Sequence, residues 1–284
     1  MTEAPLYRSV LYIPASKERA LEKARTLDVD AIIFDLEDAV APDEKTAARG
    51  LLADHLTRGG FGHRKRIVRI NGLDTPWGHE DARAAAEMSC DFILLPKTED
   101  PAQISSLKSL VPRLPVWCMI ETPRGVLNAL SIADCDEVDG FVMGTNDLAK
   151  DLGCATGGDR MAMMTSLQMC QLAARAAGIV IVDGVYNAFK DDQGLRLECE
   201  QGFELGMDGK TLIHPSQVAI ANEVFAPTEE EVVLAKRQIE AFDAATARGE
   251  GVAVLDGKIV ENLHVETARA IIAKSDAVRA RTAA

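Results

Sequence analysis

Positive charge is scarce in this chain. Lysine and arginine number 31 against 44 aspartates and glutamates, a formal net charge of −13 over 284 residues. Nonspecific nucleic-acid binding needs cations that neutralise phosphates, so that class is excluded. An anionic ligand must be met by a few local cations. Long apolar runs are missing too: none approaches the roughly 20 residues that span a bilayer. The stretch MTEAPLYRSVLYIP carries Glu3 and no extended apolar core, so it does not read as a secretory signal. No CxxC pair occurs among the six cysteines. Cys90 and Cys118 lie in or beside apolar runs and are expected as buried small hydrophobes. These absences fit a protein of the reducing cytoplasm, with neither a membrane nor a nucleic acid as partner.

What is present is a repeating unit. Short runs rich in Val and Ile recur as SVLYIP from Ser9, AIIFDLED from Ala31, RIVRIN from Arg66, FILLPK from Phe92, VWCMIET from Val116, GFVMGTND from Gly140, IVIVDGV from Ile179 and KTLIHP from Lys210. Helix-compatible segments such as KERALEKARTL and HEDARAAAEM lie between them. Near-continuous apolar strands alternating with helices indicate a parallel sheet covered on its faces. Eight such repeats within about 210 residues predict a (β/α)8 barrel. The competing doubly wound sheet would carry a glycine-rich phosphate turn after its first strand, and YIPASKERA has none. The expected division is a catalytic barrel over residues 1–226 and a C-terminal segment over 227–284. That segment reads as a long amphipathic helix from Pro227-Thr228 to Gly249, a hairpin about Asp256-Gly257 and a second helix, a lid or an oligomer contact.

In such barrels the active site gathers where the strands end. The endings are Asp35, Glu37 and Asp38 on the second strand, Arg69 and Asn71 on the third, and Lys97 on the fourth. Glu121 ends the fifth, Asn146 and Asp147 the sixth, Asp183 the seventh and His214 the eighth. A carboxylate closing the apolar run VWCMI is costly to desolvate without a positive partner. Glu121 and Asp147 end consecutive strands, and two carboxylates with few other protein ligands suit Mg²⁺, with Mn²⁺ as the alternative. A salt bridge from Glu121 to Arg69 is the competing explanation. Gly144 and Thr145 would let backbone N–H groups approach a bound carboxylate, although GTND also fits an ordinary turn. Arg69 is the natural electrophile for an oxygen gaining charge, or else a structural bridge to Glu37 or Asp38. Lys97 would neutralise substrate charge, and His214, beside Pro215, reads as structural.

The motifs FDLEDAV, RIVRINGLDT, LLPK, MIET, GTNDLA and GKTLIHPSQV, in this order from about Arg8 to Ala270, resemble the CitE-like branch of the HpcH/HpaI aldolase superfamily. That group holds citrate lyase β subunits, malyl-CoA lyases and malyl-CoA thioesterases. The resemblance implies a (β/α)8 barrel, Mg²⁺ on Glu121 and Asp147, a catalytic Arg69 and an acyl-CoA substrate. It also implies a homo-oligomer, a trimer or hexamer, in which the C-terminal segment closes a neighbour's site. In the lyases that segment carries an aspartate in a GKMVD-like motif; GKIVENLH puts Glu261 there. The added methylene displaces the carboxylate by roughly an ångström or more, a scale at which rates fall about a hundredfold. With VDGVYNAF, this draws the resemblance toward the thioesterases, with Glu261 guiding water, and the lyase and the citrate-lyase-like subunit remain as alternatives. For the CoA phosphates, Arg8, Lys17, Arg19, Lys23 and Arg25 form the nearest cationic cluster, and Lys97 and Asn146 complete the expected substrate contacts.

Overall fold

In the computed structural model, residues 6–155 and 158–282 are described. They form two compact units, one from Tyr7 to Glu223 and one holding the chain from Val224 onward. The first unit is a closed barrel of eight parallel strands in sequence order. They are β1 (Ser9–Pro14), β2 (Ala31–Asp35), β3 (Lys65–Arg69), β4 (Phe92–Leu95), β5 (Val116–Ile120), β6 (Val138–Met143), β7 (Val180–Asp183) and β8 (Gly209–Leu212). The expected fold class is observed, and no described helix is long and apolar enough to cross a membrane.

Successive side chains on a strand point to opposite faces, and this alternation decides what reaches the barrel interior. Val10, Ala31, Ile33, Ile67, Leu94, Trp117, Met119, Val142 and Val182 fill it. Trp117 is the largest fully buried side chain, with Tyr7 at 5.0 Å and Phe92 at 5.5 Å between ring centroids. Its indole lies where a side chain on Gly140 would be, since an added Cβ would come within 2.7 Å of Cε2. Two residues beyond Val10, Ile33, Ile67 and Met119, the same parity carries Tyr12, Asp35, Arg69 and Glu121 inward at the C-terminal rim.

The opposite parity disposes of Asp183. It pairs in register with Lys210 across β7 and β8, and both face away from the interior fillers, wholly buried. Arg160 donates to both Asp183 oxygens at 2.8 and 2.9 Å, while Lys210 Nζ donates to Asp183, Glu198 and the Gly184 carbonyl at 2.7–2.9 Å. Asp183 is therefore a buried ion-pair member and not the rim group expected from its strand-end position. The cations beside it hold its carboxyl below the usual range, against the opposing effect of burial. Lys210→Met leaves Asp183 and Glu198 short of a cation, a defect worth about 3–5 kcal/mol. Denaturant unfolding of that variant is expected to show a loss of this size.

The second unit contains the helix Glu229–Ala247, the antiparallel pair β9 (Ala253–Leu255) and β10 (Lys258–Val260), and the helix Asn262–Thr282. Thr228 and Glu231 form a reciprocal capping box at the start of the first helix. Asp256 and Gly257, at φ 49° and 75°, make the tight hairpin turn that needs two left-handed residues. One hairpin face packs Ala253 and Val260 with Ala245 and Val265. On the other, the register partners Val254 and Ile259 are 69% and 62% exposed.

Candidate active site

Asp35 and Arg69 are register partners across β2 and β3, which brings their inward side chains together. Arg69 Nε and Nη2 donate to the two Asp35 oxygens at 2.7 and 2.6 Å. The backbone N–H groups of Glu37 and Ala39 donate to the same carboxylate at 2.9 and 3.1 Å. Four donors commit Asp35 to holding the guanidinium. It, rather than Glu37 or Asp38, is the principal partner of Arg69. Glu37 makes a 2.7 Å ion contact to Nη1 without hydrogen-bond alignment. Asp38, whose side chain is largely exposed, stands at 3.4 Å.

Two further groups fix the guanidinium. Arg69 lies over the Tyr12 ring at 5.1 Å, and Nη1 reaches Met119 Sδ at 3.8 Å. Burial raises the Tyr12 phenol well above its ordinary pKa, opposed by Arg69 and reinforced by nearby carboxylates, so it stays neutral. Tyr12 was visible in the sequence only as an apolar strand residue. A desolvated cation–π contact is worth about 0.5–2 kcal/mol. Tyr12→Leu is therefore expected to lower kcat by roughly 3- to 30-fold with little change in KM, while Tyr12→Phe stays near wild type. Steady-state kinetics of the pair decide it.

Glu121 follows Trp117 and Met119 on the inward row of β5 and is only 4% exposed. Its Oε1 accepts the Lys97 backbone N–H at 2.8 Å. Burial first and then the negative charge of Glu37 raise its carboxyl to about 8, with Asp147 adding to the rise and Arg69 and the Lys97 N–H opposing it. Burial, Asp38 and Asp35 likewise raise Glu37 to about 7 against the pull of Arg69. Gly144 has no side chain because Glu121 occupies that space: an added Cβ would lie 2.6 Å from Glu121 Oε2 and collide with its Cβ. Thr145, Asn146 and Asp147 open the helix Thr145–Leu152, with Asp147 in its first turn.

These residues line a cavity of about 310 Å³ whose walls include the carboxylates of Asp35, Asp38, Glu121 and Asp147 against the single guanidinium of Arg69. Excess negative charge, hard oxygen donors and no imidazole or thiolate on the walls suit a hard divalent cation that keeps several waters. No described group of three or more His, Cys, Asp or Glu is arranged to hold a metal; Glu121 and Asp147 would hold one as a pair of carboxylates, with water and substrate completing the set. The residues fit Mg²⁺.

The remaining candidates divide by position. Lys97, at φ 47°, points an exposed side chain to within 3.8 Å of Asp147. Arg19 is exposed on the helix Glu18–Ala24, which begins soon after the C-terminal end of β1. Arg8 precedes β1, at the opposite end of the barrel, and is buried in a bidentate pair with Asp30 at 2.9 Å for both contacts. It is withdrawn as a phosphate anchor. Arg25 is likewise committed, to the Gly59 and His55 carbonyls and the Phe61 ring. Asn71 is buried between Lys45 and Asp81, and His214 accepts the Ser216 N–H and caps a short turn. In the second unit Glu261 is exposed after β10, its N–H donated to His264 Nδ1 at 3.0 Å. Asn187, absent from the sequence reading, exchanges amide hydrogen bonds with Asn146.

An eight-stranded parallel barrel with acids and an arginine gathered at its C-terminal rim defines an enzyme-type site of the metal-assisted class. The HpcH/HpaI aldolase/citrate lyase family profile matches residues 8–215, and the chain belongs to that family. A profile for C–C bond lyases of the TIM-barrel fold matches residues 159–278. The chain is 59% identical, over 98% of each sequence, to a (3S)-malyl-CoA thioesterase of Cereibacter sphaeroides. It is 33% identical, over 96% of each, to an L-malyl-CoA/beta-methylmalyl-CoA lyase of the same species. The crystal structure of the protein CitE from Mycobacterium tuberculosis with magnesium, acetoacetate and coenzyme A superposes with a TM-score of 0.80 at 29% identity, covering 97% of this chain and 99% of that one.

Proposed function

We propose that this protein hydrolyses (3S)-malyl-CoA to malate and free CoA with Mg²⁺ held by Glu121 and Asp147. The observation that carries this reading is the 59% identity, along nearly the full length of both chains, to the thioesterase. The cavity supports it: an acyl group with a carboxylate and a hydroxyl needs the positive charge that four wall carboxylates would attract and one arginine cannot supply alone. Mg²⁺ bound there supplies Lewis acidity and a template for those two substrate groups. Arg69, fixed by Asp35, Tyr12 and Met119, directs its remaining N–H groups at the thioester oxygen and stabilises charge developing on it. Burial raises the Glu37 carboxyl to about 7 against the pull of Arg69, which makes it a group able to hold or release a proton beside that arginine. Gly144, Thr145 and Asn146 frame the substrate carboxylate, and Lys97 and Arg19 meet the outer substrate charges.

Hydrolysis breaks the C–S bond as water adds to the carbonyl carbon, and the proton leaves with the CoA thiol. Glu261 guides that water from the C-terminal unit of a second copy. A homo-oligomer is favoured by the apolar outer hairpin face of Val254 and Ile259, which are 69% and 62% exposed in the single chain.

The C–C bond lyase profile over residues 159–278 favours one second reading. There the same Arg69 stabilises an enolate, and malyl-CoA is split into acetyl-CoA and glyoxylate. Product analysis with malyl-CoA and Mg²⁺ separates the two. Malate and free CoA without glyoxylate are expected; stoichiometric glyoxylate establishes the lyase. No turnover of any free acyl-CoA would point to a subunit acting on a carrier-bound thioester.

A further inference from the structure

Beside the 310 Å³ active-site cavity lies a second one of about 630 Å³, and the two share Thr145, Asn146, Val185 and Asn187 as lining residues. The shared wall is built from two segments. Thr145 and Asn146 start the helix after β6, while Val185 and Asn187 belong to the loop after β7. The base of that loop is anchored. Lys210 Nζ holds the Gly184 carbonyl at 2.7 Å, Gln217 Nε2 holds the Tyr186 carbonyl at 2.9 Å, and the Tyr186 hydroxyl donates to Asp191 at 2.7 Å. Gly184 itself is pressed against Thr145 so closely that any side chain there would strike the threonine. The tip is joined differently: Asn187 Nδ2 donates to Asn146 Oδ1 at 2.8 Å, and Asn146 Nδ2 returns a longer bond of 3.3 Å. Val185 is half-buried and both amides are exposed.

We infer that the Asn146–Asn187 amide clasp, with Val185 beside it, is the partition that limits the size of the acyl group, and that opening it admits branched or longer hydroxy-diacyl chains into the second cavity. The inference deepens the proposed function, since it concerns which acyl thioesters that site accepts. The walls behind the partition are mixed: Met163 and Leu197 offer apolar surface to an alkyl branch, beside the polar Asp159 and Gln201, while Arg160 and Glu198 are already engaged with Asp183 and Lys210. An exposed amide pair contributes little to stability, so its removal changes the shape of the site and leaves the barrel standing.

The test compares Asn187→Ala, Val185→Ala and the double variant with wild type on malyl-CoA and on homologues bearing a methyl, ethyl or propyl branch on the acyl chain. A steric wall that excludes one methylene discriminates by roughly 10- to 200-fold. Wild type is expected to decline steeply in kcat/KM along this series. The double variant is expected to raise the propyl-to-malyl ratio of kcat/KM by roughly tenfold or more. A ratio within about twofold of wild type in all three variants overturns the inference. Malyl-CoA turnover by wild type tests the underlying function separately. Should that be absent, calorimetric titration of Mg²⁺-supplemented protein with 2-hydroxysuccinate and its 3-propyl homologue makes the same comparison without catalysis. A gain by the variants for the propyl homologue sustains the partition, and no gain overturns it.

Discussion

Arg69→Lys is expected to lower kcat by about a hundred- to a thousandfold, the cost of removing one preorganised donor from a developing oxyanion, while KM changes several-fold at most. A lysine keeps the positive charge but not the fork. It cannot reproduce the two parallel contacts that Arg69 makes to Asp35 at 2.7 and 2.6 Å, and bidentate sites do not tolerate this exchange. Its compact ammonium also loses the planar stacking of the guanidinium over Tyr12 at 5.1 Å. The loss should fall on kcat because the frame around Arg69 orients N–H groups for the transition state rather than gripping the ground-state substrate. A circular-dichroism spectrum like wild type would show that the barrel persists, as Asp35 retains its two backbone donors. A variant retaining more than about a tenth of wild-type kcat would remove Arg69 from the reaction.

The barrel was legible because its strands are short, apolar and bounded by polar or glycine-containing segments. The starts at Ser9, Ala31, Phe92 and Val116 coincide with β1, β2, β4 and β5. The sixth strand begins two residues ahead of its reading, at Val138, where the ladder to β5 shifts register at Val116/Trp117 and Asp139 is exposed. Strand-end position alone overstated the rim, because an end residue faces inward only when its parity agrees with the fillers below it. Glu121 shares parity with Trp117 and Met119 and reaches the cavity. Asp183 does not share parity with Val182 and is closed off with Lys210. Arg8 failed for a related reason: nearness in sequence to β1 says nothing about which of its two ends a side chain occupies, and a six-residue strand separates those ends by roughly 17–20 Å. Tyr12 shares parity with the interior filler Val10, so its inward orientation is legible in the sequence although its stacking on Arg69 is not. Asn187 carried no such signal, since its pairing with Asn146 arises where a loop and a helix start 41 residues apart converge.

Without metal, wild-type protein is expected to lose stability as the pH rises from about 5 to about 8, and Glu121→Gln to lose markedly less. Glu121 titrates near 8 in the folded chain against an ordinary value of 4.5. Between those values the folded state keeps a proton that the unfolded state releases, so stability falls with rising pH. The contribution is complete below about 4.5 and gone above about 8, and Glu37, raised to about 7, acts in the same direction. For a carboxylate this buried the difference is on the order of a few kcal/mol. A neutral glutamine has no proton to lose, so the gap in Tm between variant and wild type should widen toward pH 8 in chelator-treated samples. Mg²⁺ should then close it from the other side. A divalent cation favours the ionised carboxylate, so its stabilisation of wild type grows as the pH rises, and Glu121→Gln should gain little. Chelation should abolish turnover, and added Mg²⁺ should restore it to wild type but not to the variant. Parallel Tm curves for the two proteins from pH 5 to 8, or a Mg²⁺ shift of equal size in both, would mean that the acid closing β5 is stabilised by something other than a bound cation.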